Sequence, residues 1–178
     1  MGSARAVFFD RDGTLMEEVD YCRDPSQVRV FPGVRDALAR LKRSGFLIFI
    51  VTNQSGIGRG YFTEDDYLMV QKEFLRQAGE EYIDDSYFAP DTPDQPSNRR
   101  KPAFGMLLEA AAEHGVDLAS SFMVGDKASD VECGRRAGTR TILVLTGYGA
   151  MQDNSGQDFT ALNASEAVAW ILREVRSS

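Results

Sequence analysis

Two short clusters of carboxylates each follow a run of apolar residues, and they are the first candidates for chemistry. The earlier is Phe9-Asp10-Arg11-Asp12-Gly13-Thr14. Residues two apart in an extended chain share a face, so Asp10 and Asp12 are expected to address one site. An aspartate with an ordinary pKa of about 3.9 is ionised at neutral pH. Asp10 is thus available as a metal ligand and as a nucleophile toward phosphorus. A second carboxylate could protonate a leaving alkoxide and then activate water. Gly13 permits a sharp turn straight afterwards. A plain Asp-rich turn is the competing explanation. A calcium loop fails, because its sixth position requires Gly and Leu15 stands there.

The later cluster, Gly125-Asp126-Lys127-Ala128-Ser129-Asp130, adds two carboxylates. With Asp10 and Asp12 they would form an all-oxygen pocket suited to Mg²⁺. Asp130 is equally explained as a favourable charge in the first turn of a helix, whereas Asp126 is not. An anionic substrate also needs donors and positive charge. Thr52 and Asn53 follow another apolar run, and Arg99, Arg100 and Lys101 follow a proline-rich loop over 89–98. Ser55-Gly56-Ile57-Gly58-Arg59-Gly60 is no dinucleotide fingerprint, since Tyr61 occupies the last glycine position. It reads instead as a substrate loop that presents Ser55 and Arg59. His114, the single histidine, sits at a helix end and reads as structural.

The elements that must position these residues alternate. Ala6–Phe9, Phe46–Val51, Ser86–Phe88, Ser121–Val124 and Thr141–Leu145 read as strands. Helical spacing appears over Val34–Leu41, from a capping box at Thr63 and Asp66 through about Gln77, and over Phe104–Ala111. It returns from a Ser129 cap through Ala137 and over Val168–Val175. This rhythm implies an α/β fold: a doubly wound, Rossmann-like parallel sheet covered on both faces. Ligands of such sheets bind at the carboxyl ends of the strands, which is where Asp10–Thr14, Thr52–Ser55 and Gly125–Asp130 fall.

A chain of 178 residues suits a single domain over 1–178. A net charge of −7 argues against a general nucleic-acid binder. Cys22 and Cys133 match no metal-ligand spacing. The few apolar residues after Met1-Gly2-Ser3-Ala4-Arg5 are too short for a signal core, and no run approaches a membrane span. A cytoplasmic monomer with no membrane partner is expected.

These residues resemble the haloacid dehalogenase superfamily of phosphatases. Asp10-x-Asp12-Gly13-Thr14, Thr52, Lys101 and Gly125-Asp126-x-x-x-Asp130 run in that order along the chain. The string Val51–Gly60, with Arg100-Lys101-Pro102 and Gly105-Met106, is similar to the branch of heptose-bisphosphate and histidinol phosphatases. Polynucleotide 3′-phosphatase domains share similar stretches. The resemblance implies that Asp10 is the nucleophile and a Mg²⁺ ligand. It implies that Asp12 is the general acid/base and ligates through its backbone carbonyl, and that Asp126 completes the protein ligands. Thr52 and Lys101 would hold the phosphoryl oxygens, with Asn53 and Lys127 nearby.

The expectation is a Mg²⁺-dependent phosphomonoesterase with small loop caps, acting on a sugar bisphosphate such as a heptose 1,7-bisphosphate. Arg59 and Arg100 would hold the distal phosphate. Histidinol phosphate and a 3′-phosphorylated polynucleotide are the alternatives. A catalytically silent binding protein is another, against which the intact Asp10/Asp12/Lys101/Asp126 set speaks. One departure stands out. Relatives in this branch usually carry a Cys/His zinc loop before the Arg-Lys-Pro segment, whereas Ala89–Arg99 contains neither residue type, so no zinc is expected.

Overall fold

Ala6–Phe9 (β1) is four apolar residues with no polar face, a composition that is stable only where both sides are covered. In the computed structural model, which describes residues 4–152 and 155–176, β1 lies inside a six-stranded sheet. Met1-Gly2-Ser3 fall outside the described residues. β1 pairs in parallel with Leu47–Asn53 (β2) on one side and with Phe122–Gly125 (β4) on the other. Asp85–Ala89 (β3) extends the sheet beyond β2, and Arg140–Val144 (β5) and Phe159–Ala161 (β6) extend it beyond β4. The order is β3-β2-β1-β4-β5-β6 with every pair parallel.

The helices are Val34–Arg43 (α1), the single turn Ser55–Gly58 (α2), Glu64–Ala78 (α3), Gly105–His114 (α4), Ala128–Ala137 (α5) and Ala164–Arg176 (α6). Strand alternation divides the interior into two cores. Val7, Phe9, Ile48, Ile50 and Val124 pack with Leu38 and Leu41 of α1, Phe74 of α3 and Ile171 of α6. Ala6, Phe8, Phe49, Val51 and Met123 pack with Met106 and Leu107 of α4 and Cys133 of α5 on the other face. Each large apolar side chain so buried contributes about 1.5–3 kcal/mol, which makes the central strands a rigid base for the loops at their carboxyl ends. The doubly wound parallel sheet read from the sequence is present.

α3 opens on the expected capping box, with Asp66 N–H donating to Thr63 Oγ1 at 3.1 Å and Thr63 N–H to Asp66 Oδ2 at 2.8 Å. The expected Ser129 cap is wrong. Lys127 occupies the cap position of α5, and Asp130 accepts its N–H at 3.0 Å. An ionised carboxylate is the stronger acceptor for these orphan amides. β6 went unread, because three residues with one buried side chain make no recognisable run. Among the described residues, no helix is long and apolar enough to cross a membrane.

β2 lies to one side of β1 and β4 to the other, so the strand order reverses between β1 and β4. Such a reversal opens a crevice at the carboxyl ends of the strands.

Candidate active site

The crevice is a cavity of about 550 Å³ lined by Asp10, Asp12, Thr52, Asn53, Lys101, Lys127 and Asp130, among others. Asp10 follows the last residue of β1, and its N–H donates to Val124 O at 2.9 Å, continuing the β1–β4 pairing. Lys101 reaches it from the loop before α4. Its ammonium donates to Asp10 Oδ1 at 2.8 Å and Val51 O at 2.8 Å, and pairs with Asp130 Oδ1 at 2.6 Å. All three ammonium donors are thereby engaged. Burial works against the Lys101 charge, but Asp10 and Asp130 outweigh it and raise its pKa above the usual lysine value.

Asp126, fully buried, accepts Thr14 Oγ1 at 3.3 Å and Tyr148 N–H at 2.8 Å. Gly13 and Gly147, both at positive φ, press against it, and a Cβ on either would collide with Asp126 Oδ2. One oxygen each from Asp10, Asp126 and Asp130 lie within 4.8 Å of one another. Burial first, and then the charges of Asp10 and Asp130, hold the Asp126 carboxyl well above the usual range. Asp126 lies behind the cavity lining rather than in it, so three buried carboxylates against one ammonium leave the floor and the layer beneath it short of positive charge, and an all-oxygen donor set fits a hard divalent cation.

Asp12 lies on the cavity wall and leaves the cluster. Its carboxylate is gripped by Arg11 at 3.1 and 3.2 Å and by Gln54 Nε2 at 3.0 Å, with Thr52 Oγ1 at 3.5 Å. Asn53 lines the cavity and also serves Lys101. Its Oδ1 accepts Lys101 N–H at 2.9 Å and its Nδ2 donates to Lys101 O at 3.0 Å. One side-chain amide therefore fixes the backbone that carries the lysine.

The rim is looser. Lys127 extends over the Tyr148 ring at 4.7 Å and pairs with Glu18 at 3.4 Å. Burial raises the Glu18 pKa against the opposing pull of Lys127. Arg100 donates to Asp91 O at 3.0 Å. Its pKa is lowered by burial and by the neighbouring charge of Arg59. The loop behind it turns on Ser97, whose hydroxyl donates to Asp91 at 2.6 Å and accepts the N–H groups of Arg99 and Arg100. Ser55 also lines the cavity.

Arg59 is exposed and does not line the cavity, and Arg99 turns away to Glu109 at 3.0 Å. His114 lies against the Phe49 ring at 4.9 Å, consistent with a structural place. Arg11, Glu18, Gln54 and Tyr148 were not singled out from the sequence. Only Arg11 carried a signal, a charge placed between two candidate catalytic aspartates.

Residues 98–169 match the HAD-hydrolase-like family. The chain is 37% identical to the D-glycero-D-manno-heptose-1,7-bisphosphate 7-phosphatase of Thermosynechococcus vestitus, with 93% of this chain and 94% of the relative aligned. This chain belongs to the haloacid dehalogenase-like phosphatases. It is similar to a second such phosphatase, the D-glycero-beta-D-manno-heptose-1,7-bisphosphate 7-phosphatase of Pasteurella multocida, at 36% identity over 97% of this chain and 99% of the relative. A solved D,D-heptose 1,7-bisphosphate phosphatase from B. bronchiseptica, complexed with magnesium and phosphate, superposes with a TM-score of 0.87. That likeness spans 96% of this chain and 99% of the other at 28% identity. As a member of this family the chain is an enzyme, a phosphoric monoester hydrolase.

Proposed function

We propose that this phosphatase removes the 7-phosphate of D-glycero-D-manno-heptose 1,7-bisphosphate through a phosphoaspartate on Asp10. The observation that carries the chemistry is the Asp10–Lys101–Asp130 chain on the cavity floor, where a buried lysine holds one oxygen of Asp10 and so aims the other. The substrate reading rests on the activity named for relatives that align over nearly the whole chain.

Asp10, Asp126 and the backbone carbonyl of Asp12 would hold Mg²⁺, which supplies charge neutralisation at the phosphoryl oxygens. The remaining steps belong to this chain. Lys101 and Thr52 would orient the phosphoryl group. The free oxygen of Asp10 attacks phosphorus while the ester P–O bond breaks, and Asp12, protonated at this stage, delivers its proton to the leaving alkoxide. Asp12 then takes a proton from the water that attacks phosphorus. The Asp10 acyl phosphate opens, and inorganic phosphate and the free carboxylate remain. Positioning and charge neutralisation account for most of the catalysis in such transfers.

Arg100 and Lys127, with Arg59 adding charge from outside the cavity, would bind the phosphate that does not react. Remote binding of that kind favours reaction at the other end. The protein would act as a cytoplasmic monomer without zinc. Phosphate release from the heptose bisphosphate, histidinol phosphate, other sugar phosphates and a 3′-phosphorylated oligonucleotide tests the reading. The bisphosphate should have the highest kcat/KM, and faster release from the oligonucleotide would defeat the proposal.

A further inference from the structure

The largest fully buried side chain among the described residues is a charged one, Arg11. It stands between Asp10 and Asp12 and is absent from the cavity lining. Its guanidinium doubles back on its neighbour, with Nε 3.1 Å from Asp12 Oδ2 and Nη2 3.2 Å from Oδ1. Nη1 donates to Gln71 Oε1 of α3 at 3.0 Å, and Gln71 is anchored to Ser86 of β3 by its own amide at 3.0 Å. The Tyr67 ring lies 5.3 Å from the guanidinium carbon.

Packing does not account for this choice of residue. An apolar side chain of similar volume would fill the same space, so filling it does not call for a charge. Nor does the Arg11–Asp12 pair join distant parts of the chain, since its partners are consecutive. What the fork fixes is the direction of one carboxylate, because two parallel donors define a plane as well as a distance. Gln71 holds the fork from α3, and Gln54 and Thr52 meet the carboxylate from its other side.

We propose that Arg11 is the positioning residue for Asp12, holding its carboxylate at the cavity wall where a leaving oxygen needs a proton. This inference rests on the reading of Asp12 as the proton-transfer group. Arg11 itself touches no substrate.

The test uses the full chain with Mg²⁺ and two aryl phosphates of similar shape, phenyl phosphate with a poor leaving group and 4-nitrophenyl phosphate with a good one. Arg11→Met should lower kcat/KM for phenyl phosphate by roughly 30-fold, the scale on which misplacing a catalytic group acts, and for the nitrophenyl ester by only about 3-fold. Inhibition by inorganic phosphate should stay within about 3-fold of wild type, since misplaced proton transfer leaves ground-state binding alone. Arg11→Lys should recover part of the loss, because an ammonium can reach the carboxylate without the fork. Adding Arg11→Met to Asp12→Asn should cause no further loss, since residues that act through one another are not additive.

Equal losses on both esters, or losses that multiply in the double variant, would overturn the inference. Should Arg11→Met not fold, Gln71→Leu frees the guanidinium while keeping its space filled, and the same criteria apply. If Asp12→Asn itself shows no leaving-group dependence, the reading of Asp12 falls and this inference with it. If Asp12→Asn shows it and Arg11→Met does not, only the role given to Arg11 falls.

Discussion

The floor and the rim of the cavity are built on different terms. On the floor, Lys101 is 3% exposed and engages three partners, while Asp126 and Asp130 are 0% and 1% exposed. At the rim, the Lys127 side chain is 42% exposed and meets Glu18 at 3.4 Å. Buried charges persist only when paired and hydrogen-bonded, so each floor residue constrains the next. Exposed pairs contribute little to stability and are free to change. On the reading proposed above, the chemistry would be locked into the interior, whereas substrate choice would rest on side chains that the fold hardly needs.

The sharpest break is at Asp10. Asp10→Asn should lower turnover by roughly 10⁴-fold or more, the scale of losing a nucleophile. It should leave the protein folded, because an amide oxygen can still accept from Lys101. Near-normal turnover, or full activity after Mg²⁺ is chelated, would end the phosphoaspartate reading.

Paired lysine variants test the comparison itself. Lys101→Met strands buried carboxylates and should destabilise the metal-free protein by about 3–5 kcal/mol. Lys127→Met should change stability by less than about 1 kcal/mol and act mainly on KM. Urea unfolding with steady-state kinetics decides, and equal stability losses would erase the distinction between floor and rim.

Proton linkage probes the floor more gently. Burial and the neighbouring carboxylates raise the Asp126 pKa, so the folded, metal-free protein retains a proton that the unfolded chain has lost. Its stability should then fall as pH rises above the ordinary carboxylate value of about 3.9. Mg²⁺ should offset the fall, and Asp126→Asn should flatten it. A melting temperature in chelator whose pH slope is unaltered by Asp126→Asn would contradict this.

The smallest effect is expected at Ser97→Ala. It removes the hydroxyl that orders the loop behind Arg100 and should raise KM for the bisphosphate by roughly 5- to 10-fold, the equivalent of one hydrogen bond. Hydrolysis of an aryl phosphate should be unchanged. A matching loss on both substrates would place Ser97 with the floor rather than the rim.

Most of the fold was legible because its signals are local. The apolar runs of β1 and β2 and the capping box of α3 need no partner to be recognised. β6 needed one, since only pairing with β5 defines it. The floor was legible in residue type, while its wiring was not. The sequence offers two readings of Asp130, helix charge or site residue, and the structure shows both at once, because the same carboxylate caps α5 and pairs with Lys101. The place of Arg59 was not legible, since a guanidinium in a glycine-rich loop carries no sign of which way it turns. Arg11 was passed over for the converse reason, as an alternating charge ordinarily marks solvent and here marks the interior.

The place of β1 also shapes how this protein is made. The first strand of the chain is an inner strand of the sheet, and one of its two neighbours begins only at Phe122. Pairings so distant in sequence form slowly, since a long loop must close before any contact rewards it. During synthesis β1 must therefore wait with one edge open until Phe122–Gly125 has emerged. Asp10 gains Asp126 only in that closing step, so catalytic competence should arise abruptly at the end of folding, and a chain stopped before β4 should show none.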